Sequence, residues 1–137
     1  MPRVLAIDFG LKRTGLAVTD PLRIIATALD TVDSRELMSY LKTYTSKEKV
    51  DGFVIGMPKN LDGSTTDITA NVHALVAELK KQLPGKFVET VDERFTSRIA
   101  QQTLMASGKG RMARREKGQL DRISATIILQ SWMDRNP

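Results

Sequence analysis

Acids at three points along this chain could hold hard metal cations. Asp8 ends an apolar run and sits inside Ala6-Ile7-Asp8-Phe9-Gly10. A carboxylate on a central strand is costly to bury alone, and a divalent cation repays that desolvation. A turn acid bonded to nearby backbone amides is the plainer alternative. Asp92 and Glu93 follow the apolar segment Lys86–Val91. Adjacent strand residues point to opposite faces, so only one of this pair can line a given site. Asp121 stands at the start of a helical segment, where the macrodipole by itself favours an acid. Gathered at the carboxyl end of central strands, such acids form the cluster that a two-metal nuclease needs. The cations sit roughly 4 Å apart; one activates a water and the other stabilises the leaving oxygen of an in-line displacement. Carboxylates without histidine or cysteine ligands select magnesium or manganese over zinc. With one histidine, His73, and no cysteine, the chain has no disulfide, thiol nucleophile or multi-histidine metal site. A serine–histidine hydrolase is disfavoured on the same count.

Cations surround these acids. Lys12 and Arg13 fall just beyond Asp8, where they could contact scissile or flanking phosphates; as turn residues they would otherwise be solvated. Arg94 follows Glu93 and could pair with Asp92 or reach a phosphate. The stretch Ser107–Gly118 carries Lys109, Arg111, Arg114, Arg115 and Lys117 with one acid, Glu116. Such a run neutralises phosphates and makes binding salt-sensitive. It lies directly before the helix bearing Asp121, which favours nucleic acid over a merely solvated loop. The whole chain has 21 basic and 16 acidic residues, a net charge of +5, in keeping with a polyanionic partner. Aromatic content of 5% argues against a base-stacking platform. His73 reads as a surface or half-buried helical residue, and Trp132 as a core-edge one.

The elements that must position these residues are legible from periodicity. Arg3–Phe9 and Thr14–Asp20 read as strands joined by a glycine-containing loop, and Ile24–Leu29 as a third strand entered through a Pro21 turn. Asp33 or Ser34 caps a helix to about Lys47, with Leu37, Met38, Leu41 and Tyr44 at helical spacing. Val50–Met57 reads as a buried strand. A helix from the Ser64–Asp67 capping pattern to about Leu83 follows, then the strand Lys86–Val91. Thr96 or Ser97 opens a helix to about Ala106, and a last helix spans about Gln119–Arg135. Tight turns make the first three strands antiparallel, and the later crossovers make parallel pairs. The expectation is one α/β domain over residues 1–137, with a mixed five-stranded sheet and helices on both faces.

Several segments carry a family resemblance. The run from Ala6 through Asp8, Gly10, Lys12, Arg13 and Gly15 to Asp20 resembles the opening signature of the YqgF family of Holliday-junction resolvases and pre-16S ribosomal RNA nucleases. Gly56–Ser64 resembles that family's loop after the fourth strand. Val91-Asp92-Glu93-Arg94-Phe95-Thr96-Ser97 is similar to its "DER-x-TS" motif, and Asp121–Gln130 to its last helix. The segments come in order and span almost the whole chain. The resemblance implies a ribonuclease H-like fold, and it assigns catalysis and metal binding to Asp8, Glu93 and Asp121. It implies hydrolysis of structured nucleic acid by water, leaving a 5′-phosphate and a 3′-hydroxyl, with Mg2+ or Mn2+ as cofactor. One departure stands out. Resolvases of this superfamily often place a further acid one turn along the final helix, and here that position is Ser124.

Processing of the 5′ end of pre-16S ribosomal RNA, with ribosomal precursor particles as partners, is the first expectation. Junction resolution needs a symmetric dimer, and the sequence offers no obvious dimer surface, so a monomer or weak homodimer is expected. A non-catalytic nucleic-acid-binding factor is the rival from another class, and Ser124 is its best support. Asp8-Phe9-Gly10 with Thr14-Gly15 also resembles the phosphate-loop hairpin of actin-like kinases, but those enclose ATP between two such domains. No signal peptide and no membrane span can be read from the sequence, so a cytoplasmic location is expected.

Overall fold

Short, nearly continuous apolar runs, with apolar residues recurring every third or fourth place between them, build a sheet covered by helices. The computed structural model describes residues 3–20, 25–57, 69–92 and 117–136, with the backbone alone at 92 and 117–123. Strands β1 (Arg3–Asp8), β2 (Arg13–Thr19) and β3 (Ala26–Asp33) come first. A 3-10 turn (Ser34–Glu36) leads into α1 (Leu37–Lys47). Then follow β4 (Val50–Met57), α2 (Thr69–Gln82), β5 (Phe87–Asp92) and α3 (Lys117–Arg135).

The sheet order is β3-β2-β1-β4-β5. β1 pairs antiparallel with β2, and β2 with β3, while β1–β4 and β4–β5 are parallel. The α/β class and the mixed five-stranded sheet are as expected, and the arrangement is that of a ribonuclease H-like domain. Strand direction has a direct consequence for function. The ends of β1, β3, β4 and β5 and the start of β2 all fall on one edge of the sheet. That edge collects Asp8, Arg13, Asp33, Met57 and Asp92.

Each face of the sheet has its own core. Leu5, Ile7, Leu16, Phe53, Ile55 and Met57 pack with Leu37 and Leu41 of α1 and with Val72, Leu75 and Leu79 of α2. On the other face Val4, Ala6, Ala17, Val54 and Val91 pack under Ala125, Ile128, Leu129, Trp132 and Met133 of α3. Helices therefore cover both faces, as periodicity predicts. Small residues on the second face, Ala6 and Ala17, let α3 lie close to the strands. Gly52 opposes Phe87 in register, and a Cβ at position 52 would collide with the Phe87 ring. The vacancy admits that ring, which stacks on Trp132 at a centroid distance of 5.7 Å.

Two boundaries differ from expectation. The third strand runs from Ala26 to Asp33 rather than from Ile24 to Leu29. Its ladder with β2 continues from Thr19↔Ala26 to Arg13↔Asp33, so backbone pairing carries it through the polar Asp30, Thr31 and Asp33. An edge strand tolerates such residues, since one side of it faces solvent. The last helix begins at Lys117, two residues before Gln119, and so takes in the end of the basic stretch. The turn at Pro21, the capping pattern at Ser64–Asp67, the helix expected from Thr96 to Ala106 and residues 107–116 lie outside the described residues.

Candidate active site

Strand alternation decides which face Asp8 occupies. Leu5 and Ile7 enter the core under α1 and α2, while Val4 and Ala6 enter the one under α3. Asp8, two places beyond Ala6, therefore belongs to the α3 face at the carboxyl end of β1. It pairs in register with Gly15 and is partly exposed. β1 is the middle strand of the sheet, so this carboxylate sits at the end of the central strand and still reaches solvent. On β5, Phe87 and Val91 pack on the α3 face and Val88 on the other. Glu89 shares the α3 side, where its carboxylate accepts a hydrogen bond from Trp132 Nε1 at 3.1 Å.

The three predicted acids stand differently in the structure. Asp8 is described in full. Glu93 lies outside the described residues, immediately after the last residue of β5. Asp121 is on the backbone of α3, in its second turn, on the helix that covers the Asp8 face. Among the described residues there is no group of three acidic or histidine side chains that could hold a metal. The donor chemistry of the three positions is all carboxylate and suits a hard divalent cation. Ser124, one turn beyond Asp121, is partly buried.

Of the predicted phosphate contacts, Lys12 is exposed in the β1–β2 loop and Arg13 is the exposed first residue of β2. Both lie at the same sheet edge as Asp8. Lys117 is the first residue of α3. Arg94, Lys109, Arg111, Arg114 and Arg115 lie outside the described residues. His73 is exposed on α2, on the far face from Asp8. Trp132, 8% exposed in the α3 core, donates its indole N–H to the exposed Glu89, as suits a core-edge residue.

The loop that carries Lys12 is tightly held, and this the sequence does not reveal. Ser34 donates its hydroxyl to the Gly10 carbonyl at 2.5 Å and its backbone N–H to the Lys12 carbonyl at 3.0 Å. Thr14 Oγ1, on a fully buried residue, lies 2.8 Å from Ser34 Oγ. A Cβ at Gly10 would collide with the Arg13 carbonyl oxygen, so the loop closes on itself only with glycine there. Position 34 reads in the sequence as a helix cap; its reach to Gly10, 24 residues away, leaves no local signal. Asp33 is the residue that caps the 3-10 turn, accepting the Arg35 N–H at 2.9 Å.

Comparison with known proteins finds similarity along almost the whole chain. The model of the RuvX family, described as Holliday junction resolvase, matches residues 2–135. A protein of Porphyromonas gingivalis named "Putative pre-16S rRNA nuclease" is 46% identical over 137 residues, covering 100% of this chain and 99% of its own. Proteins of the same name from Flavobacterium psychrophilum and Bacteroides fragilis are each 44% identical, over 135 and 134 residues. They cover 98% of this chain, and 98% and 97% of their own lengths.

Proposed function

The chain belongs to the RuvX family of Holliday junction resolvases, and from that premise we propose that it is a metal-dependent endonuclease for structured nucleic acid. Its first substrate is pre-16S ribosomal RNA, the RNA in the names of its 43–46% identical relatives, and it acts at the 5′ end of that RNA. The observation that carries this reading is the place of Asp8. A partly exposed carboxylate ends the middle strand of a ribonuclease H-like sheet, on the face that α3 covers.

In this reading Asp8, Glu93 and Asp121 hold Mg2+ or Mn2+. The alternation of Phe87, Glu89 and Val91 supports Glu93 rather than Asp92 as the ligand from β5. The metal supplies an activated water and charge stabilisation for the leaving oxygen. Lys12 and Arg13 bind phosphates on one side of the cleaved bond and fix the strand against the acids. Arg94, Lys109, Arg111, Arg114, Arg115 and Lys117 hold the remainder of the substrate through its backbone. Water adds at phosphorus and the bond to the 3′-oxygen breaks, leaving a 5′-phosphate and a 3′-hydroxyl. The site of action is the cytoplasm, on ribosomal precursor particles, with the protein as a monomer or weak homodimer. Among the described residues no helix is long and apolar enough to cross a membrane.

The test compares wild type with Asp8→Asn on a structured precursor RNA and on a four-way DNA junction, with magnesium or manganese. Cleavage of the RNA by wild type alone is the expected result. Cleavage of the junction alone would make the protein a junction resolvase. The partly buried Ser124, where resolvases often carry an acid, favours one other outcome. Binding without cleavage of any substrate would leave a nucleic-acid-binding factor of the same fold.

A further inference from the structure

The Ser34 hydroxyl is committed to one loop. A serine hydroxyl has a single proton, and that proton goes to the Gly10 carbonyl at 2.5 Å. The 2.8 Å hydrogen bond between Ser34 Oγ and Thr14 Oγ1 is therefore donated by Thr14. A chain of hydrogen bonds runs from the fully buried Thr14 through Ser34 to the turn that follows Asp8. Among the described residues this hydroxyl bonds Gly10 and Thr14 and caps no helix. The start of the 3-10 turn is capped by Asp33, not Ser34. The junction of β3 with the loop is closed by the Ser34 backbone N–H on the Lys12 carbonyl, a bond any residue but proline could make. Beside Ser34, the Arg35 guanidinium binds the Asp33 carboxylate at 3.1 and 3.0 Å. What the hydroxyl fixes is Gly10, and Gly10 opens the segment that ends on Lys12 and Arg13.

We propose that Ser34 is a positioning residue for nucleic-acid binding: through Gly10 it sets the β1–β2 loop so that Lys12 and Arg13 meet phosphates beside Asp8. The inference rests on the nuclease reading above, since it takes the ligand of that loop to be a phosphate backbone. Preorganisation is the physical gain. Two flexible cations on a loop already in its bound shape lose less conformational entropy on binding than the same cations on a loose one.

The experiment measures binding of a structured RNA over several salt concentrations, together with kcat and KM for its cleavage. The proteins are wild type, Ser34→Ala, Ser34→Thr and Lys12→Ala, alone and combined with Ser34→Ala, at a temperature where all are folded. Ser34→Ala is expected to raise Kd and KM about three- to tenfold, the weight of one or two net hydrogen bonds. Its kcat should hold, and its log–log salt slope should be shallower by up to about 0.9 for each phosphate that the loop no longer neutralises. Ser34→Thr, which keeps the hydroxyl, should restore both, and Ser34→Ala should add little to Lys12→Ala. A Ser34→Ala protein that melts earlier but binds with unchanged Kd and slope overturns the inference and leaves the nuclease reading standing. Fully additive effects of Ser34→Ala and Lys12→Ala overturn it too. Wild-type protein that binds no nucleic acid removes the reading and the inference together.

Discussion

At the scale of single residues, the edge of the sheet near Asp8 leaves little room for change. A methyl group at Gly10 would meet the Arg13 carbonyl, so Gly10→Ala must displace backbone rather than a yielding side chain. It should cost about 1–3 kcal/mol in urea unfolding and weaken RNA binding more than an exposed substitution such as Ser39→Ala. Equal stability and binding for Gly10→Ala and wild type would mean that the loop has no fixed shape. Asp33 offers a second residue-scale prediction, in pH. The hydrogen bonds from Arg35 hold its carboxyl below the ordinary value of 3.8. A carboxyl whose folded pKa is depressed adds stability above its unfolded pKa and loses it as pH falls through the folded one. The turn from Ser34 to Glu36 should therefore stay ordered at pH 4 and loosen only in stronger acid. Carboxyl titration by NMR reads this directly, and an Asp33 midpoint at or above 3.8 would contradict it. Arg35→Ala should raise the midpoint toward 3.8 without abolishing the shift, since the backbone N–H at position 35 still donates to the Asp33 carboxylate.

Among the elements, α3 has the largest task, because it roofs the face that carries Asp8 and bears Asp121 itself. Trp132 anchors its far end, stacked on Phe87 and bonded to Glu89. Trp132→Ala should cost about 3–5 kcal/mol of stability, as large-to-small changes in a packed core do. Trp132→Phe should cost much less, since ring packing survives and only the bond to a partly solvated carboxylate disappears. Chemical denaturation of the two variants measures the difference, and equal losses would mean that the hydrogen bond rather than the stack holds the helix. The elements also show where sequence reasoning succeeds. β1, β2 and β4 are strongly apolar and α1 is periodic, and they fall within a residue or two of their expected bounds, α1 behind a 3-10 turn. β3 is different because hydrogen bonds to β2, not apolar content, set its length. Asp8 is legible as a strand-end carboxylate from its apolar approach. The bond from Ser34 to Gly10 is not, because it joins residues that only the β1–β2–β3 meander brings together.

For the molecule as a whole, charge and chemistry are separable, and mutants can separate them. The net charge of +5 and the cations between Lys109 and Lys117 act on phosphates at long range and without regard to sequence. In the proposed reading Asp8 acts at one bond. Replacing Arg111, Arg114 and Arg115 by alanine should weaken binding of structured RNA and flatten its dependence on salt. For each phosphate no longer neutralised, the log–log slope should fall by about 0.9 on B-form DNA and by about 0.7 on single strands. Asp8→Asn removes a negative charge from the opposite side of the balance. Binding without metal should hold or tighten, while cleavage falls on the order of a hundredfold or more, as it does when a transition-state-stabilising group is removed. Titrations across salt concentrations beside a cleavage assay give both readouts on the same preparations. Parallel losses of binding and cleavage in both variants would mean that Asp8 supports the fold rather than the chemistry. Unchanged binding in the triple arginine variant would leave phosphate binding to the cations that remain, Lys12, Arg13, Arg94, Lys109 and Lys117.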